Sequence, residues 1–270
     1  MAAHNVLLLG GHGKIAQLLT PLLLRRSWNV TSVIRNPDQV PAIQSLAPPP
    51  PSTTGGQLNV LVRSLEDIKS QSQARSIIDE VKPDFIVWSA GAGGKGGPSR
   101  TFAIDRDAAI HFIRAAAEES SGVTRFLLIS YLGSRRTKPA WWSEESWEEM
   151  SKVNAGALKN YYEAKVAADE VLYEAGSRAG QRRFVGIDLR PGTLVDEKAG
   201  KVELGKTRKS GGNVSRESVA QVADQLLAAG DVGNVWLDLL DGEDDITGAI
   251  ERVVKDGVDC AEGESFYGGK

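Results

Sequence analysis

The chain has 270 residues, 41% of them hydrophobic and 25% charged, enough to bury a sizeable core. Its 32 basic and 35 acidic side chains leave a net charge of −3, which argues against a general nucleic-acid binder or a polybasic membrane binder. Glycine is over-represented at 29 residues, and a single cysteine, Cys260, excludes an intrachain disulfide or a cysteine metal cluster. One free cysteine fits a reducing, cytoplasmic setting. The histidines, His4, His12 and His111, have no metal-pair spacing, so no metal is expected. The early apolar run Val6–Leu9 stops at Gly10, too short for a leader or a membrane span.

In chain order, Asn5–Leu9 is a short apolar run ending in glycines and reads as a buried strand. Lys14–Arg25 carries Ile15, Leu18, Leu19, Leu22 and Leu23 at helical spacing, with Pro21 as an irregularity. Strands are expected at Asn29–Ile34, Leu58–Val62, Phe85–Ser89, Phe126–Ser130, Phe184–Leu189 and Val235–Leu240. Helices are expected across Thr101–Glu119, Gly156–Ala175, Arg216–Ala229 and Ile246–Val254. Strands alternating with helices predict one α/β domain over residues 1–270. It is a Rossmann-type doubly wound parallel sheet with helices on both faces and a small C-terminal substrate-side elaboration. Two insertions interrupt it. Residues 47–56, rich in Pro, Ser, Thr and Gly, read as a flexible surface loop. Residues 133–153 carry Trp141, Trp142 and Trp147. They read either as a loop packed down by its tryptophans or as a substrate lid with aromatic walls.

The glycine loop is the most informative stretch. Gly11-His12-Gly13-Lys14-Ile15-Ala16 is G-x-G-x-x-A between the first strand and the first helix, preceded by Gly10. Glycines permit the tight turn and the close approach of a pyrophosphate, and the helix N-terminus offers free N–H groups to it. Where an NAD-binding chain carries an acidic residue at the end of the second strand, this one has Arg35. A guanidinium there matches a 2′-phosphate and favours NADP over NAD. Ser89-Ala90-Gly91 follows the fourth strand and should face the same ligand.

Tyr161 and Lys165 are four apart on a predicted helix and so share one face. An ammonium beside a phenol favours the phenolate, which would lower the phenol's pKa and make Tyr161 a usable acid or base.

The segments GGHGKIA (10–16), VIRNP (33–37), SAG (89–91), AIDRDAAI (103–110), RFLLIS (125–130), YYEAK (161–165), DLRPGTL (188–194) and SRESVA (215–220) together resemble the short-chain dehydrogenase/reductase superfamily. The likeness is to its atypical NAD(P)H-binding branch, with the NmrA-like and biliverdin/flavin-reductase-like proteins. The resemblance implies that Tyr161 protonates a carbonyl oxygen during hydride transfer, and that Lys165 holds the nicotinamide ribose. It implies that Pro191, Gly192 and Thr193 lie near the nicotinamide. Asp105 falls where many relatives have asparagine. Ser130 is the implied third catalytic residue, with Tyr131 and Ser134 as rivals for that place.

Three functions follow as expectations. The first is an NADP-dependent oxidoreductase acting on a small, apolar or aromatic carbonyl substrate. The second is a non-catalytic NADP(H)-binding redox sensor. The third is a nicotinamide-dependent epimerase or dehydratase, since one fold supports many reactions. Relatives of this type occur as monomers and homodimers.

Overall fold

A computed structural model describes residues 3–48, 55–93, 96–178 and 184–268. Strand β1 (Asn5–Leu9) leads through the glycine loop into α1 (Lys14–Arg25), β2 (Asn29–Ile34), α2 (Val40–Gln44), β3 (Leu58–Val62) and α3 (Gln71–Val81). Then come β4 (Phe85–Trp88), α4 (Gly97–Thr101), a π-helical run over Phe102–Ala108, α5 (Ala109–Ala116) and β5 (Arg125–Ile129). Helices α6 (Glu144–Ala155) and α7 (Lys159–Ser177) precede β6 (Val185–Pro191), β7 (Thr193–Val195), β8 (Val202–Leu204) and β9 (Asn213–Ser215). The chain closes with α8 (Arg216–Ala228), β10 (Val235–Asp241) and α9 (Ile246–Lys255).

The main sheet has the order β3-β2-β1-β4-β5-β6-β10-β8, with every pair parallel except β10–β8. Side chains alternate across it. Val6 and Leu8 of β1 join Leu19 and Leu23 of α1 and Leu226 of α8 in one core, while Leu7 and Leu9 join Ile78, Phe112 and Ile113 in the other. Strands buried on both faces read as continuous apolar runs, which is why β1 and β5 show no alternation. At roughly 1.5–3 kcal/mol for each fully buried large side chain, these two layers dominate the fold's stability.

The doubly wound sheet stands, with four corrections. The antiparallel edge strand β8 and the separate two-stranded sheet β7–β9 lie in the elaboration after β6. Helices α2 and α3 were not expected. The helix expected over Thr101–Glu119 is instead α4, a π-helical run and α5. Residues 133–153 contain helix α6, capped by Ser143, whose hydroxyl accepts from the Ser146 N–H. Trp142 in that insertion is buried and donates its indole N–H to the Thr207 carbonyl at 3.0 Å. Of the 47–56 loop, residues 49–54 lie outside the described residues.

Candidate active site

The strand order reverses between β1 and β4, and the loops after these two strands lie against each other. A Cβ on Gly10, whose φ is +85°, would fall 2.6 Å from the Ala90 Cα; one on Gly11 would fall 1.8 Å from the Ser32 hydroxyl. Only glycine permits this approach. Gly13 caps α1 without a side-chain hydrogen bond, so the first-turn N–H groups of a 12-residue helix are left for a ligand. Gly10, His12, Gly13, Arg35, Ser89, Ala90 and Gly91 line one cleft. An open helix N-terminus flanked by glycine backbone fits the pyrophosphate of a dinucleotide. Gly11 supports the turn by donating its N–H to the Val33 carbonyl. Lys14 turns away to an exposed ion pair with Asp196.

At the far end of this cleft Arg35 is joined by two arginines the sequence reading missed. Arg63 follows β3 as Arg35 follows the neighbouring β2, and Arg100 comes from α4. Glu66 sits between them, accepting from Arg100 Nε at 2.8 Å and lying 3.5 Å from Arg35 Nη1. The parallel β2–β3 pairing was the available signal for Arg63, since it puts residues after both strands on one edge.

Ser89, Ala90, Gly91 and Ala92 also form the near wall of a second cavity of about 580 Å³. Its other walls include Ile15, Asp105, Ile129, Ser130, Tyr161, Lys165 and Leu194. Lys165 is buried, donates to the Ile129 carbonyl at 3.0 Å, and lies 3.5 Å from Asp105. Its Nζ is 5.6 Å from the centre of the Tyr161 ring. The expected lowering of the Tyr161 pKa is not what results. Burial raises it, Lys165 opposes that in part, and Asp105 and Asp169 raise it further.

Ser130 reaches the cavity wall, but its hydroxyl donates to Asp169, at 2.6 and 2.8 Å to the two carboxylate oxygens. Ser134 also donates to Asp169. The Tyr131 hydroxyl faces Met150 Sδ at 3.1 Å, and burial together with Tyr161 pushes its pKa up to about 12. None of the three rivals therefore points a free hydroxyl proton at the cavity. The structure also does not bring Pro191, Gly192 or Thr193 to the cavity lining; the next residue, Leu194, takes that place. Trp141, Trp142 and Trp147 do not line it either. They pack with Leu132, Met150 and Leu240 in a cluster of their own.

Beneath the site lies a buried charge network. Arg190 Nε donates to Asp238 at 2.9 Å and Arg135 Nη2 donates to the other Asp238 oxygen at 2.8 Å. Arg190 Nη1 also reaches Asp169 at 3.2 Å.

These features define a dinucleotide-binding protein of the doubly wound α/β class. The comparisons sharpen this. A family profile described as NAD(P)H-binding matches residues 10–229, and the chain belongs to that family. It is 33% identical over 267 residues to the UPF0659 protein C216.03 of Schizosaccharomyces pombe, covering 96% of each chain. It is 28% identical to YhfK of Bacillus subtilis, named an uncharacterized sugar epimerase, over 92% of this chain and 100% of that one. Two solved structures share the fold. One, from Bacillus halodurans, is named as an NAD-dependent epimerase/dehydratase, with TM-score 0.71 and 23% identity over 93% of this chain and all of the other. The second is ChuY, named an anaerobilin reductase, from Escherichia coli O157:H7, with TM-score 0.64 and 22% identity over 89% of this chain and 98% of the other. No helix among the described residues is long and apolar enough to cross a membrane.

Proposed function

We propose that the protein is an NADP-dependent oxidoreductase of the atypical short-chain dehydrogenase/reductase type that reduces a carbonyl or related group on a small, largely apolar substrate. The observation that carries this reading is the placement of Tyr161 and Lys165 in a cavity whose near wall, Ser89–Ala92, is shared with the glycine cleft. NADPH, when bound, supplies a hydride with its two electrons to the substrate carbon. Gly10–Gly13 and the α1 N-terminus hold the pyrophosphate, and Arg35, with Arg63 and Arg100 nearby, holds the 2′-phosphate. Lys165 holds the nicotinamide ribose from the cavity floor. Tyr161 breaks its O–H bond and gives the proton to the carbonyl oxygen, completing the alcohol. The phenolate takes a proton back from solvent entering the cavity once the product leaves, with Lys165 charged beside it. Ile129, Leu158, Leu194 and Pro98 make much of the wall apolar, which favours an apolar substrate.

The test is turnover of NADPH with a panel of aldehydes, ketones, quinones and flavins, beside Tyr161→Phe. Activity in the wild type that is lost in the variant supports the reading. Tight NADPH binding without turnover across the panel would overturn it in favour of a redox sensor. A second reading, an epimerase or dehydratase, is favoured by the epimerase names of two relatives. A nicotinamide cofactor that co-purifies and does not exchange would support that one.

A further inference from the structure

We propose that Asp105 is a positioning residue that clamps Lys165 and offsets its charge, adding to burial in favouring the protonated Tyr161 phenol, so that the site is set to give a proton to substrate rather than take one. This rests on the reading of Tyr161 as the proton donor. Asp105 is buried in the π-helical run Phe102–Ala108. A π-helical run inside a helix is uncommon and is frequent at functional sites.

Its two carboxylate oxygens have different surroundings. Oδ2 accepts from the Ala92 N–H at 2.9 Å, which anchors the side chain to the loop after β4. Oδ1 is buried, has no hydrogen-bond partner among the described residues, and lies 3.5 Å from Lys165 Nζ. A Cβ on Gly91 would sit 2.9 Å from this same oxygen, so the glycine leaves room for the carboxylate to face the ammonium. Lys165 is therefore held from two sides, by the Ile129 carbonyl and by Asp105.

The electrostatic consequence follows from the pairing. An uncompensated ammonium stabilises a neighbouring phenolate; one paired with a carboxylate does so much less. The charged and titratable groups facing Tyr161 are Lys165 and Asp169 on its own helix, Asp105 from the π-helical run, and Tyr131 from the loop after β5. Asp188 and Arg190 of β6 belong to the same buried group, Asp188 acting on Lys165 and both engaging Asp169. Lys165 favours the phenolate, and the two carboxylates oppose it. A neutral amide in place of Asp105 would shift that balance toward the phenolate.

The experiment reads the phenol directly and needs no turnover. Phenolate absorbance is titrated with pH, and the Tyr161→Phe curve is subtracted to isolate one of the five tyrosines. This is done in the wild type, Asp105→Asn and Asp105→Glu. Asp105→Asn keeps an oxygen for the Ala92 N–H and should bring phenolate formation about one pH unit or more lower. Asp105→Glu, which keeps the charge, should restore the titration toward wild type. Gly91→Ala serves as a second route, because its methyl group would push the carboxylate off Lys165 without altering charge; it should act in the direction of Asp105→Asn. If the reductase reading holds, the alkaline limb of kcat/KM should move with the phenolate in each variant. Superimposed titrations of wild type, Asp105→Asn and Gly91→Ala would overturn the proposal. Titrations that shift in Asp105→Asn and Gly91→Ala, beside a wild type that reduces no carbonyl, would instead defeat the reductase reading and leave the Asp105–Lys165 clamp standing.

Discussion

The Ser130 hydroxyl donates to the Asp169 carboxylate at 2.6 Å, and Asp169 stands one helical turn beyond Lys165 on α7. A hydroxyl whose only proton is committed to a carboxylate cannot also donate it to a substrate oxygen. Ser130→Ala should therefore leave kcat within about tenfold of wild type, whereas Tyr161→Phe, which removes the acid itself, should cost about 100-fold or more. Asp169 keeps Ser134 and Arg190 in the variant, so the stability loss should be about 1 kcal/mol by denaturant unfolding. A Ser130→Ala enzyme as inactive as Tyr161→Phe would show that the hydroxyl leaves Asp169 when substrate binds.

Glu66 makes a second prediction at the other end of the cleft. Its carboxylate stands between Arg35 and Arg100, where a 2′-phosphate would bring further negative charge. Glu66→Gln should tighten NADPH binding a few-fold, at about 1 kcal/mol or less for partly exposed pairs, and change NADH little. Arg35→Asp should weaken NADPH far more than NADH. Both effects should shrink as salt rises, because these groups are within reach of solvent ions. Titration calorimetry with the two cofactors at two salt concentrations checks it. An equal response of NADPH and NADH to Arg35→Asp would remove the 2′-phosphate role.

What the sequence made legible was whatever repeats at short range. Strand β1, the glycine loop and α1 are contiguous, and Tyr161 and Lys165 are four apart on one helix, so local periodicity places them. Helix α3 buries Ala74, Ile77 and Ile78 at helical spacing, with Val81 packed beside them, so its short stripe was legible though unread, whereas α6 buries only Met150 and Asn154 and carries no clear apolar stripe. Strand β8 is three residues long and is a strand because β10 offers it an edge. The partners that decide the chemistry are remote in sequence. Ser130 meets Asp169 at a separation of 39, and Arg135 meets Asp238 at 103. Even the sense of the Tyr161 shift depended on burial and on Asp105, neither of which can be read from Y-x-x-x-K.

The network under the site should be far more sensitive than its surface counterparts. Asp238 accepts from Arg190 and Arg135, and the side chains of all three are fully buried. Asp238→Asn removes the charge shared by two guanidiniums and leaves them in a low-dielectric interior. Breaking a buried ion pair on one side costs about 3–5 kcal/mol. The exposed pair Arg178–Glu174 should give about 0.5 kcal/mol or less when broken. Chemical denaturation of Asp238→Asn beside Glu174→Gln measures the contrast. Comparable small losses in both would mean that the guanidiniums find water or another acceptor.

Asp188 should give the opposite sign to Asp238. It is buried in the middle of β6, neither carboxyl oxygen has a hydrogen bond among the described residues, and Arg190 Nη1 is 3.5 Å away. Burial, and then the charge of Asp169, hold its pKa well above the ordinary 3.8. Below the unfolded-chain value both states carry the proton, so Asp188 costs the fold nothing there. As pH rises past that value toward the raised folded one, the unfolded chain releases its proton and the folded chain keeps it, so stability falls. Asp188→Asn cannot ionise in either state and escapes this loss. It should melt a few degrees above wild type at neutral pH, and the gap should close as pH is lowered toward 4. Melting curves followed across that range decide it. A gap independent of pH would mean that Asp188 is already ionised in the folded protein and that Arg190 supplies more than its distance indicates.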